Sequence, residues 1–148
     1  HWMVHSFPTR RSSDLIVVDG DSVCSYAIDY RALVRSAQAS GCYFIFTCGC
    51  GEPGCAGLQA PIEVEHRDDQ IFWHITDPEP ERWFSFGKDQ YREAIEMGLS
   101  DILAILSPNR PDSCFGPYGS TRAGFIQMHA EMQRLRAGPP HHQAPASS

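Results

Sequence analysis

The stretch PIEVEHRDDQIFWHI, Pro61 to Ile75, alternates apolar and polar residues on both sides of Asp68-Asp69. A period of two is the mark of a strand with one buried face, and a turn pair at its centre makes the stretch a hairpin. Pairing the arms about Asp68-Asp69 sets His66 opposite Ile71, Val64 opposite Trp73 and Ile62 opposite Ile75 on one face. The same register sets Glu63 opposite His74 and Glu65 opposite Phe72 on the other. A slip of one residue would turn the apolar set to solvent, so the register is strongly specified. The chain must therefore hold an antiparallel sheet with one face against a core and the other mixed in polarity.

Other segments extend this frame. RWFSF, Arg82 to Phe86, adds an edge strand, and LIVVDGDSV reads as strand broken by the turn pair Asp19-Gly20. CYFIFTC, Cys42 to Cys48, is a seven-residue apolar run and reads as a straight central strand buried on both faces. Tyr30, Leu33, Val34 and Ala37 recur at helical spacing, with Gly41 where a helix stop belongs. Tyr91, Ala94, Ile95, Gly98, Leu99, Ile102, Leu103 and Leu106 form one stripe of a long helix that Pro108 stops. Residues 121–136 form a second amphipathic helix with Phe125, Met128, Met132 and Leu135 inward. The expected class is α+β, an antiparallel sheet of about four to five strands with amphipathic helices packed on one face. Residues 16–137 are expected to form this single domain, and 138–148, rich in proline, glutamine and serine, a disordered tail.

The segment His5–Leu15, HSFPTRRSSDL, has no hydrophobic period and no signal-peptide layout. It resembles one translated frame of a ligation adapter used in short-read sequencing libraries. Residues 1–15 are accordingly expected to be an adapter-derived scar and carry no weight in the functional argument.

Charge excludes some partners. The chain has 12 basic and 18 acidic residues, a formal net charge of −6, and setting aside Arg10, Arg11 and Asp14 makes the remainder more acidic still. Its arginines are scattered, and an acidic surface without a basic patch repels phosphate backbones, so no nucleic-acid partner is expected. No apolar run approaches the ~20 residues that span a bilayer, so no membrane partner is expected either. A cytoplasmic location and an unidentified protein partner complete the expectation.

Four of the six cysteines lie in CYFIFTCGCGEPGC, Cys42 to Cys55. In a straight strand, Cys42 and Cys48 would stand ~20 Å apart at ~3.3 Å per residue, too far to share one zinc ion. Cys48, Cys50 and Cys55 remain, in a loop with Gly49, Gly51, Pro53 and Gly54 that is able to converge them. His74, on the strand returning toward this loop, is the fourth candidate ligand, oriented by Glu63. An ordinary cross-strand Glu63–His74 contact competes with that role; His66 falls at the wrong end of the sheet, and His129 on the last helix is not placed. Without a metal, the cysteines are reduced thiols filling space in a loop whose glycines supply positive φ or close backbone approach. C-x-x-C, G-x-S-x-G, G-x-x-x-x-G-K and H-E-x-x-H motifs are all missing, and Asp68-Asp69 is a turn before it is a carboxylate dyad.

The runs TCGCGEPGCAG, PIEVEH, IFWHI and FSFGKDQYREAI resemble a group of uncharacterised bacterial proteins that share a C-x-C-G-x-x-G-C-x-G core followed by a V-x-H or V-x-R strand and a tryptophan strand. The resemblance spans residues 16–97 and is carried by Cys48, Cys50, Cys55, Gly51, Gly54, Gly57 and Trp73. It implies relatedness and no mechanism. The function expected is that of a non-catalytic accessory or protein-interaction domain with no cofactor. The alternatives are a structural zinc domain through Cys48, Cys50, Cys55 and His74, and a thiol-dependent enzyme or redox sensor using Cys48 or Cys50, with a Cys48–His74 pair as nucleophile and base.

Overall fold

The computed structural model of the chain describes residues 9–11, 15–18, 21–24, 27–48, 53–77, 79–106 and 121–138, with side chains from Ile28 onward. In chain order the elements are β1 (Thr9–Arg11), β2 (Leu15–Val18), β3 (Asp21–Cys24), β4 (Ala27–Ile28), α1 (Tyr30–Ser36), β5 (Gly41–Tyr43), β6 (Phe46–Thr47), a 3-10 turn (Gly54–Ala56), β7 (Ile62–Arg67), β8 (Gln70–Ile75), β9 (Arg82–Gly87), α2 (Lys88–Ile105) and α3 (Arg122–Ala137). The fold is α+β. Its main sheet is antiparallel and four-stranded, in the order β5-β7-β8-β9.

The hairpin has the register that alternation dictates: His66 pairs Ile71, Val64 pairs Trp73, Glu65 pairs Phe72 and Glu63 pairs His74. Asp68 takes the left-handed conformation at φ 56° in the turn, which a short polar side chain tolerates better than most. The turn is anchored to the start of α2, where the backbone N–H of Lys88 donates to the Asp69 carbonyl at 2.7 Å and its Nζ to the Asp68 carbonyl at 2.7 Å. RWFSF forms the edge strand β9, and the register carries across it, with Trp83 opposite His74 and Phe86 opposite Ile71. β2 and β3 flank Asp19-Gly20 as an antiparallel pair, and β1, drawn from the stretch set aside in the sequence, adds a third strand beside β2.

CYFIFTC departs from the straight central strand. It divides at Phe44-Ile45 into β5, an edge of the main sheet paired with β7, and β6, paired with β4 in a separate two-stranded sheet. Cys42 is exposed and Phe44 is 38 % exposed at the break, while Ile45, Phe46 and Thr47 are buried. Apolar content alone does not reveal a bend, and here the Ile45 carbonyl turns aside to accept from the Asp29 N–H at 2.8 Å.

Each helix matches its stripe. α1 is capped at its start by the Asp29 side chain, which accepts from the Ala32 N–H at 3.1 Å, and it ends at Ala37, so Gly41 begins β5 instead of stopping the helix. α2 buries Tyr91, Ile95, Leu99 and Ile102, and α3 buries Phe125, Met128 and Met132. Pro108 and residues 139–148 lie outside the described residues. Arg136 of α3 pairs with Glu96 at 2.5 Å and reaches Glu93 at 3.9 Å, tying the last turn of α3 to the first half of α2.

The core centres on Trp73, whose ring meets Phe46, Phe86 and Tyr91 edge-on at centroid distances of 6.3, 5.2 and 6.0 Å. Its indole N–H donates to Tyr91 Oη at 3.1 Å, Tyr91 Oη lies 2.7 Å from Ser36 Oγ, and Ser36 Oγ donates to the Leu33 carbonyl at 2.6 Å. Because Ser36 has a single proton and spends it on Leu33, Tyr91 is the donor to Ser36. One directed chain of hydrogen bonds thus ties sheet, α2 and α1, and burial pushes the Tyr91 phenol well above its usual range.

Candidate functional site

Alternation along β7, β8 and β9 that buries Val64, Trp73 and Phe86 sends the intervening residues to the opposite face of the sheet. One row across that outer face is Cys42, Glu63, His74 and Trp83, in register on four successive strands. The next is Glu65, Phe72 and Ser85.

His74 is the centre of the first row. Its Nδ1 lies 2.7 Å from Glu63 Oε2 and its Nε2 lies 2.6 Å from Glu81 Oε1. A carboxylate only accepts, and a neutral imidazole has one N–H, so two such contacts require the doubly protonated ring. The hydrogen bond to Glu81, and after it the one to Glu63, accordingly raises the His74 pKa above its ordinary 6.5. The imidazolium lies flat on Trp83, with centroids 4.8 Å apart and planes 6° from parallel. Trp83 nevertheless remains 44 % exposed, and the Glu63 and Glu81 side chains are 64 % and 52 % exposed. Each glutamate engages His74 through one oxygen, Glu63 through Oε2 and Glu81 through Oε1.

The second row repeats this chemistry. Arg67 forks onto Glu65 with bonds of 2.9 Å to each oxygen, and its guanidinium carbon sits 4.9 Å from the Phe72 ring centroid. Both aromatic rings of the face therefore hold a cation that is also paired with carboxylate.

His66 points the other way. Its Nε2 donates to the Ser36 carbonyl at 2.7 Å, at the end of α1, where Arg92 Nε also serves the Ala37 carbonyl at 3.3 Å. Burial lowers its pKa, with Lys88 and Arg92 acting in the same sense.

Of the proposed zinc ligands, Cys48 follows β6 and is disulfide-bonded, which differs from the reduced thiol expected of it. Cys55 is an exposed free thiol in the 3-10 turn, and Cys50 lies outside the described residues. His74 has both nitrogens engaged by Glu63 and Glu81, and His129 is half-buried on α3. No group of three or more His, Cys, Asp or Glu side chains suited to a metal ion occurs among the described residues. The end of β8 does return toward the cysteine loop: the Asp77 carboxylate accepts from the Gln59 N–H, and from the Ala60 N–H at 3.2 Å. Of the loop glycines described, Gly57 has φ +79° and closes the turn through its N–H to the Gly54 carbonyl at 3.1 Å. Gly54 has neither a positive φ nor a close neighbour.

The sequence reading missed Trp83 and Glu81. Carrying the hairpin register one strand further would have found Trp83 opposite His74. Glu81 sits in the β8–β9 connection, where no period reports its direction. No described helix is long and apolar enough to cross a membrane. Comparison with family models, curated proteins and solved structures finds no match for this chain.

Proposed function

We propose that the chain is a non-catalytic protein-interaction domain, an accessory module whose cysteine- and glycine-rich loop is structural. The observation that carries this reading is the outer face of the sheet. The helices pack against the other face, while this one keeps Trp83 44 % exposed, stacked on a histidine held by two carboxylates that are more than half exposed. A large aromatic ring left in water on a regular sheet is the kind of anchor that interfaces bury. Its position on strands held by a full ladder of pairing makes it rigid, so binding there orders little of the protein.

Peptide-display selection against the purified domain, with a Trp83→Ala counter-screen, tests the reading. Binders that engage the native domain and lose the variant support it. A selection that yields no Trp83-dependent binder overturns it.

A further inference from the structure

A neutral imidazole has one N–H and one bare nitrogen, and a bare nitrogen repels a carboxylate instead of holding it. His74 holds two carboxylates, Glu63 Oε2 at Nδ1 and Glu81 Oε1 at Nε2, so its second proton is what keeps both in place. The two glutamates come from different parts of the fold. Glu63 is the ladder partner of His74 on β7, and pairing fixes its backbone whatever the charge on the ring. Glu81 belongs to the β8–β9 connection, outside the ladder, and ties its end to the sheet as Asp77 ties its start to Gln59 and Ala60. Holding Glu81 therefore orders backbone as well as a side chain, and it is the costlier contact to keep. Glu81 also does more than Glu63 to favour the charged ring, so it has the more to lose with the proton. Two residues further on is Trp83, the ring stacked on His74, so the connection leads into the exposed aromatic.

We propose that His74 is a proton-operated clasp on the outer face of the sheet, closed on both glutamates when doubly protonated and open at Glu81 when neutral. As the ring gives one proton to solvent, Nδ1 keeps its N–H for Glu63, and Nε2 becomes a lone pair that releases Glu81. The net charge of the three groups then passes from −1 to −2 beside Trp83. The hydrogen bonds from Glu81 and Glu63 raise the His74 pKa from 6.5, with burial opposing, so the clasp opens on the alkaline side. The groups facing His74 are Glu63 from β7, Glu81 from the connection and the uncharged Trp83 from β9. The next row of the face adds the Glu65–Arg67 pair, whose charges cancel. The clasp needs no partner and so goes beyond the interaction-domain reading.

NMR of the full chain from pH 5 to 10 tests the clasp, observing the His74 ring nitrogens, the Glu63 and Glu81 carboxyl carbons and the Trp83 indole N–H. Both ring nitrogens are expected to carry protons at acid pH. Above one shared midpoint, higher than 6.5, Nε2 should be bare and the Glu81 carboxyl and Trp83 signals should have moved with it. The Glu81 backbone should gain mobility in nitrogen relaxation over the same range, and the Glu63 carboxyl should stay engaged. Glu81→Gln keeps an acceptor without the charge and should lower the His74 midpoint by about 0.2–0.7 of a pH unit, as exposed pairs do. His74→Gln should abolish the alkaline responses of Glu81 and Trp83, with unchanged circular dichroism confirming that both variants are folded. A His74 titration that leaves Glu81 and Trp83 unmoved, release of Glu63 in place of Glu81, or a Glu81 response that survives His74→Gln each overturns the proposal. None of these outcomes touches the interaction-domain reading, which the display selection decides separately.

Discussion

The imidazole of His74 lies on the indole of Trp83 with the two planes 6° apart, while its two nitrogens are held by Glu63 and Glu81. On the other side of the same hairpin, His66 gives its Nε2 proton to the Ser36 carbonyl from a partly buried position. One sheet thus favours the charged form of one histidine and the neutral form of another.

The two histidines move stability in opposite directions with pH. The His74 pKa is raised in the fold, so its contribution is fully present below the unfolded value of about 6.5 and is lost as pH rises through the higher folded value. The His66 pKa is lowered, so below about 6.5 the unfolded chain binds a proton that the fold resists, and stability falls with pH until the folded value is passed. Urea midpoints between pH 5 and 9 check both. His74→Gln should fall furthest below the parent at acid pH and recover toward it at alkaline pH. His66→Gln, which retains a donor for Ser36, should remove the acid-side loss. A gap independent of pH in either variant contradicts the assignment.

Tyr91→Phe removes only the hydroxyl that accepts from Trp73 and donates to Ser36, leaving a buried indole N–H unsatisfied. The expected cost is about 1–3 kcal/mol, a fall in melting temperature of roughly 2–12 °C for a chain of this size. In a Ser36→Ala background, where the acceptor is already gone, the same change should cost less. Equal costs in the two backgrounds would mean that the three groups do not act as a chain.

Gly57 and Gly54 should respond differently to alanine although they lie in one turn. Gly57 has φ +79°, so Gly57→Ala should destabilise by about 1–2 kcal/mol despite open space around it. Gly54 meets no close neighbour and has no positive φ, so Gly54→Ala should be neutral or stabilising by up to about 1 kcal/mol. Chemical denaturation of the two variants side by side is the check.

Alkylation of the native, unreduced protein followed by peptide mapping should modify Cys42 and Cys55 and leave Cys48 unmodified until a reductant is added. Zinc titration of the reduced chain then tests the set Cys48, Cys50, Cys55 and His74. Coordination there requires one ion per chain, three thiols protected from alkylation, and His74 released from Glu63 or Glu81.

The sequence alone determined the α+β class, the hairpin register from Glu63–His74 to His66–Ile71, and the buried stripes of α2 and α3. These follow from periods of two and 3.6, which local burial imposes on neighbouring residues. Tertiary structure alone decided where CYFIFTC breaks and which strand each half joins, since an apolar run suits either course until its partners arrive. It also decided that Glu81 closes on His74 from a loop and that Tyr91 meets both Trp73 and Ser36, 18 and 55 residues away. Such contacts join segments whose separation carries no period, and only the packing of helices on the sheet brings them together.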